Sequence, residues 1–90
     1  MAELILYTRR GCCLCEGLEE RLRALEPPPP LRCLDVDGDP ALLARYDLQV
    51  PVLAVEIQGV LRELPRVSPR LAGPRLRNWL QENGFPLQDA

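Results

Sequence analysis

Three cysteines crowd into the stretch Tyr7-Thr8-Arg9-Arg10-Gly11-Cys12-Cys13-Leu14-Cys15, and a fourth, Cys33, stands apart. Thiols can exchange disulfides, hold soft metals or simply pack, and spacing helps to separate these uses. Residues three apart on a helix lie about 5–6 Å apart on one face. A disulfide needs its Cα atoms roughly 4.4–6.8 Å apart. Cys12 and Cys15 meet that condition with little backbone movement. Cys12 and Cys13 are neighbours, about 3.8 Å apart across a trans peptide, which is too close for unstrained closure. The competent redox pair is therefore Cys12 with Cys15, and Cys13 is left over.

The flanking pattern says what holds these sulfurs. Leu4-Ile5-Leu6-Tyr7 is an unbroken apolar run, which predicts a strand over Glu3–Thr8 covered on both faces. Arg9-Arg10-Gly11 reads as a tight connection. Leu14, Leu18, Leu22 and Leu25 then recur at helical spacing, which predicts a helix from Cys12 or Cys13 to Leu25, weakened at Gly17, which offers it a close approach to the sheet. Cys12 falls at the helix entrance, where free backbone N–H groups and the positive end of the dipole favour a thiolate. Arg9 and Arg10 add positive charge, and Glu16, Glu19 and Glu20 oppose it. The expectation is a nucleophilic Cys12 with a pKa below the free value of about 8.5. Cys15, one turn inside, is the resolving thiol.

Composition narrows the setting. Ninety residues read as one domain over 1–90 with a single small core. The formal charge is −2, all 11 bases are Arg, and no basic run suggests nucleic-acid binding. The absence of His removes His-dependent catalysis and ligation. No apolar run reaches membrane-spanning length. The chain opens on a strand rather than a charged and then apolar leader, so no signal peptide is expected. A cytoplasmic, reducing location follows, where a Cys-x-x-Cys is catalytic or metal-binding rather than structural.

Pro27-Pro28-Pro29-Pro30 ends the first helix and reads as a stiff connection. Leu31–Val36 is a second strand, placed at an edge because Arg32 shares a face with Leu34 and Val36. Cys33 points the other way and reads as a small, half-buried apolar residue. Asp35-Val36-Asp37-Gly38-Asp39 does not fit a calcium loop, since Gly38 is fourth rather than sixth and Tyr46 occupies the twelfth place. Asp39 instead caps a helix over Pro40–Tyr46. Val52–Ile57 is another apolar strand, Gln58-Gly59 a hairpin turn and Val60–Leu64 an edge strand. The last helix runs from Gly73-Pro74 to Asn83-Gly84, with Leu71, Leu76, Trp79 and Leu80 facing the core and Phe85–Ala90 a fraying tail. The order β-α-β-α-β-β-α implies a three-layer α/β/α sandwich around four mixed strands.

On these residues the chain resembles a glutaredoxin-like member of the thioredoxin superfamily, of the short, divergent bacterial type. Cys12-Cys13-Leu14-Cys15 follows the first strand, and Val50-Pro51 stands just before the third, where the family has its cis-proline. The resemblance implies a thioredoxin-like fold and dithiol–disulfide oxidoreductase activity. It implies that Val50 and Pro51 present backbone to an incoming thiol or peptide as a short strand. It places Arg9 where the family has a basic residue for glutathione's carboxylate. Leu14 replaces an aromatic residue, and Pro65-Arg66 replaces a Gly-Gly pair. No bound cofactor and no metal are expected, glutathione is a candidate reductant, and the partners are protein or small thiols and disulfides met by a monomer. Two other readings compete: a metal or iron–sulfur module built on the cysteines, and an idle thioredoxin-fold interaction domain.

Overall fold

The computed structural model describes residues 2–47 and 49–86. The elements are β1 (Ala2–Thr8), α1 (Cys13–Arg23), β2 (Leu31–Asp35), a 3-10 turn (Val36–Gly38), α2 (Pro40–Tyr46), β3 (Val52–Ile57), β4 (Val60–Glu63) and α3 (Gly73–Glu82). Their order is the expected one. The sheet runs β2-β1-β3-β4, so the two apolar strands take the centre. β1 and β2 are parallel, joined across α1, and the other pairings are antiparallel.

Side chains alternate across a strand, and that alternation builds two cores. Leu4 and Leu6 of β1, with Leu53 and Val55 of β3, face α1 and α3, where Leu18, Leu22, Leu76 and Leu80 complete the larger core. Ile5 and Tyr7, with Val52 and Ala54, face the opposite side and pack with Val36 and with Tyr46 of α2. The register matches these sets strand to strand, Leu6 opposite Leu53 and Tyr7 opposite Val52. The result is α1 and α3 over one face of the sheet and α2 over the other.

Local rules account for the joints. Gln58 and Gly59 both adopt positive φ, 53° and 81°, and Ile57 pairs with Val60 across them. That is the backbone a two-residue hairpin needs, and Gly59 adopts it without a steric penalty. Asp39 caps α2 by accepting the Ala41 N–H. The polyproline segment packs onto the fold: Pro29 is buried and the Pro30 carbonyl accepts the Leu4 N–H at the start of the β1–β2 pairing.

Four details differ from the sequence reading. Val36 leaves β2 and starts the 3-10 turn, because the Asp35 carboxylate accepts the Asp37 N–H and bends the chain. Leu25 lies past the end of α1 yet is buried. Gly17 does not bring α1 closer to the sheet. Its open side faces the Arg21 guanidinium, whose Nη1 lies 3.3 Å from where a Cβ would stand. Phe85 is no fraying end: it is 2% exposed in the larger core, and its N–H is held by the Leu80 carbonyl at 2.9 Å. Residues 87–90 of that predicted tail, and Leu48, lie outside the described residues.

Phe85→Ala should lower the unfolding free energy by roughly 3–5 kcal/mol, the usual cost of emptying a buried phenyl site; urea denaturation followed by far-UV circular dichroism measures it. A second expectation concerns pH. Burial is the largest cause pushing the Tyr7 and Tyr46 phenols and the Cys33 thiol above their ordinary values. The folded chain therefore keeps these protons where the unfolded chain has lost them. Stability is fully present below the ordinary values and falls as pH rises. The urea midpoint should hold to about pH 8 and decline above it, and Tyr46→Phe should flatten the decline above about pH 10.

Candidate active site

The loop after β1 is short and closed on itself. The Cys12 N–H donates to the Arg9 carbonyl at 3.2 Å, and Gly11 between them has φ +79°. Only glycine takes that conformation cheaply. The turn delivers Cys12 to the N-cap of α1, where its Sγ accepts the Cys15 N–H at 3.2 Å. A sulfur thus occupies the place a Ser or Asp usually fills, facing the unpaired N–H groups of the first turn.

Cys12 and Cys15 are joined as a disulfide, with Cα atoms 5.2 Å apart. Their exposures differ. Cys12 is half-buried, whereas Cys15 is 0% exposed and packed beneath it. Cys13 is free and exposed. Cys33 lies away from this group, on β2 beside Leu6, with Arg23 Nη2 3.9 Å from its sulfur. Among the described residues, no group of three or more Cys, Asp or Glu gathers as a metal site would need. The three aspartates of the rejected calcium loop have other work: Asp35 and Asp39 cap helical turns, and Asp37 binds Arg9.

Pro51 reaches this place through the sheet. One step beyond the last β1–β3 pair, Tyr7 with Val52, the chain arrives at Thr8 on one strand and Pro51 on the other. The Val50–Pro51 peptide is cis. Val50 packs against the smaller core and precedes the β3 ladder. Pro51 shares a cavity with Leu14, Leu18 and Val67. Leu14 leaves the predicted apolar stripe here and is 56% exposed. It sits one turn ahead of the buried Leu18 and lines the cavity wall instead of the core.

Arg9 is held, not free. Its Nε donates to Asp37, its Nη2 contacts Asp37 at 3.0 Å and Asp47 at 2.6 Å, and its Nη1 donates to the Asp47 carbonyl. These carboxylates raise the guanidinium's pKa further. The sequence pattern pairs Arg9 with no acid, since Asp37 and Asp47 stand 28 and 38 residues away. Arg21 and Arg66 also border the cavity beside Pro51 and were not singled out by spacing. They come from a helix flank and an irregular loop, where no periodicity marks them.

The model of the glutaredoxin-like domain (DUF836) matches residues 3–81. An X-ray structure of the protein XcR50 from X. campestris is 35% identical, covers 88% of this chain and 96% of its own, and superposes with a TM-score of 0.60. The solution structure of the same protein gives 32% identity, 89% and 94% coverage and a TM-score of 0.61. A structure described as that of a malarial protein shares the fold at 11% identity, with 93% and 98% coverage and a TM-score of 0.58. A search of the curated proteins finds no match. The fold is thioredoxin-like. The chain belongs to the glutaredoxin-like domain family, and its Cys-x-x-Cys pair lies at disulfide distance. No helix among the described residues is long and apolar enough to cross a membrane.

Arg9→Gln should free the loop before Cys12. Amide exchange at Cys12, read by NMR, should speed up several-fold while the Leu4–Tyr7 amides stay protected. Equal exchange in both proteins would assign Arg9 no positioning role.

Proposed function

We propose that the protein is a thiol–disulfide oxidoreductase with Cys12 as nucleophile and Cys15 as resolving thiol. The observation that carries this is the contrast in exposure within one disulfide-forming pair at a helix entrance. Only Cys12 can be reached from solvent, and only Cys15 lies behind it. In the reduced form the Cys15 N–H that points at the Cys12 sulfur would favour its thiolate.

The reaction follows ordinary exchange chemistry. The Cys12 thiolate attacks one sulfur of a substrate disulfide. The substrate S–S bond breaks, the second sulfur leaves as a thiolate and takes up a proton, and a mixed disulfide forms on Cys12. Cys15, losing its own proton, attacks the Cys12 sulfur and expels the second substrate thiol. Two electrons have passed to the substrate, and Cys12–Cys15 is oxidised. A thiol donor must restore it. Glutathione is the small-molecule candidate, and its carboxylate would compete with Asp37 and Asp47 for the Arg9 fork. Val50 and Pro51 would offer the substrate a backbone edge at the end of β3. A monomer acting in the reducing cytoplasm suits this chemistry.

The test uses Cys15→Ser. This variant should accumulate mixed disulfides on Cys12 from cell extract, resolved by non-reducing gels and peptide mapping. Cys12 in the reduced wild type should be alkylated faster at neutral pH than Cys13, despite Cys13 being the more exposed. No Cys12-linked species, together with slower alkylation at Cys12 than at Cys13, would sink the assignment.

A further inference from the structure

A groove runs along Pro51 and the Leu14 flank of α1, and at its α1 end two arginines stand without an acidic partner in the lining. Two cavities meet on the ridge of Pro51, Arg66 and Val67. The larger, of about 300 Å³, extends toward Glu63 and Leu64. The smaller, of about 50 Å³, runs back to Leu14 and Arg21. No acidic side chain borders the smaller one. Glu16, Glu19 and Glu20 of α1 line a different surface together with Arg23, to which Glu19 is paired. Glu63 belongs to the other cavity and contacts Arg45 and the Tyr46 hydroxyl.

Arg21 is the second observation. Its Nε is buried with no hydrogen-bond partner, and no other buried side-chain nitrogen or oxygen among the described residues is left so. Its guanidinium folds back over Gly17, toward the N-terminus of α1. That end of a helix already carries partial positive charge. Arg21 is half-buried, so with one nitrogen shut off from water and the helix field against it, its guanidinium gains from an anion brought to its open side.

We propose that this groove selects disulfide substrates by charge. An acidic side chain of the bound peptide, within a few residues of its half-cystine, sits against Arg21 and Arg66. Leu14, Val67 and Pro69 pack its apolar neighbours. The inference rests on the exchange reading above and names its substrate class: extended protein segments with Asp or Glu beside the reacting cystine. An extended peptide, rather than a small thiol, fits the continuation of the groove across Pro51 into the second cavity.

The experiment separates charge recognition from redox chemistry. The Arg Nε–H signals of 15N-labelled protein are followed by NMR during titration with a cysteine-free acidic peptide and with its Gln counterpart. The acidic peptide should shift the Arg21 and Arg66 signals and bind about tenfold more tightly. Arg21→Gln and Arg66→Gln should each erase most of that preference, and Arg21→Lys should restore part of it. In the kinetic arm, a disulfide-linked acidic peptide should exceed its neutral partner by a similar factor in kcat/KM. Equal affinity for the two peptides, or a preference untouched by both Gln variants, overturns the proposal. So does a response of the two arginines to oxidised glutathione but to neither peptide. If the anion preference persists while no disulfide reacts, the charge seat stands and the redox reading falls.

Discussion

The antiparallel register between β1 and β3 is the constraint on which the site depends. Leu6 opposite Leu53 and Tyr7 opposite Val52 are fixed by burial on both faces. A slip of one residue would exchange the two cores. Because the strands end together, the turn carrying Cys12 leaves one and the segment carrying Pro51 enters the other at the same edge. The reactive loop and the groove wall are therefore neighbours by virtue of packing some distance away. Little needs to be specified at the site itself beyond a glycine turn and a helix whose cap is sulfur.

Much of this could be read from the chain because it is local. Apolar runs with two covered faces identified β1 and β3, proline and glycine placed the helix ends, and Cys12 with Cys15 carried their own geometry. What could not be read is non-local. Arg9 finds Asp37 and Asp47 only after the 3-10 turn and α2 have folded against the loop. Leu14 satisfies the helical spacing but faces the cavity beside Pro51, which no other element fills. Phe85 looked peripheral because it follows the Asn83-Gly84 stop of the predicted helix, yet the turn after α3 swings it back under Leu80. Periodicity describes one element at a time, and each of these outcomes depends on where another element stops.

Three arginines of the loop before Cys12 and the groove along Pro51 illustrate how one residue type serves different ends. Arg9 spends its fork on two carboxylates and a carbonyl and fastens the loop. Arg21 lies along its helix with a buried nitrogen unpartnered. Arg66 stands exposed on the loop after β4. Their formal charges are equal, but only the last two contribute field to the groove, because the first is neutralised at contact distance. At the opposite end of the sheet the same logic settles a like-charge pair: Glu3 and Glu56 face each other across β1 and β3, with Arg32 3.6 and 3.9 Å away.

The clasp formed by Arg9, Asp37 and Asp47 is largely solvent-facing, with the side chains 29%, 48% and 54% exposed. Mobile counter-ions weaken such contacts, over a screening distance of about 10 Å at 0.1 M salt, whereas they leave buried leucine and valine contacts nearly untouched. The sheet and the loop it carries thus respond to different properties of the solvent. Ionic strength becomes a dial on how firmly the first cysteine of the pair is presented, with the scaffold beneath it unchanged.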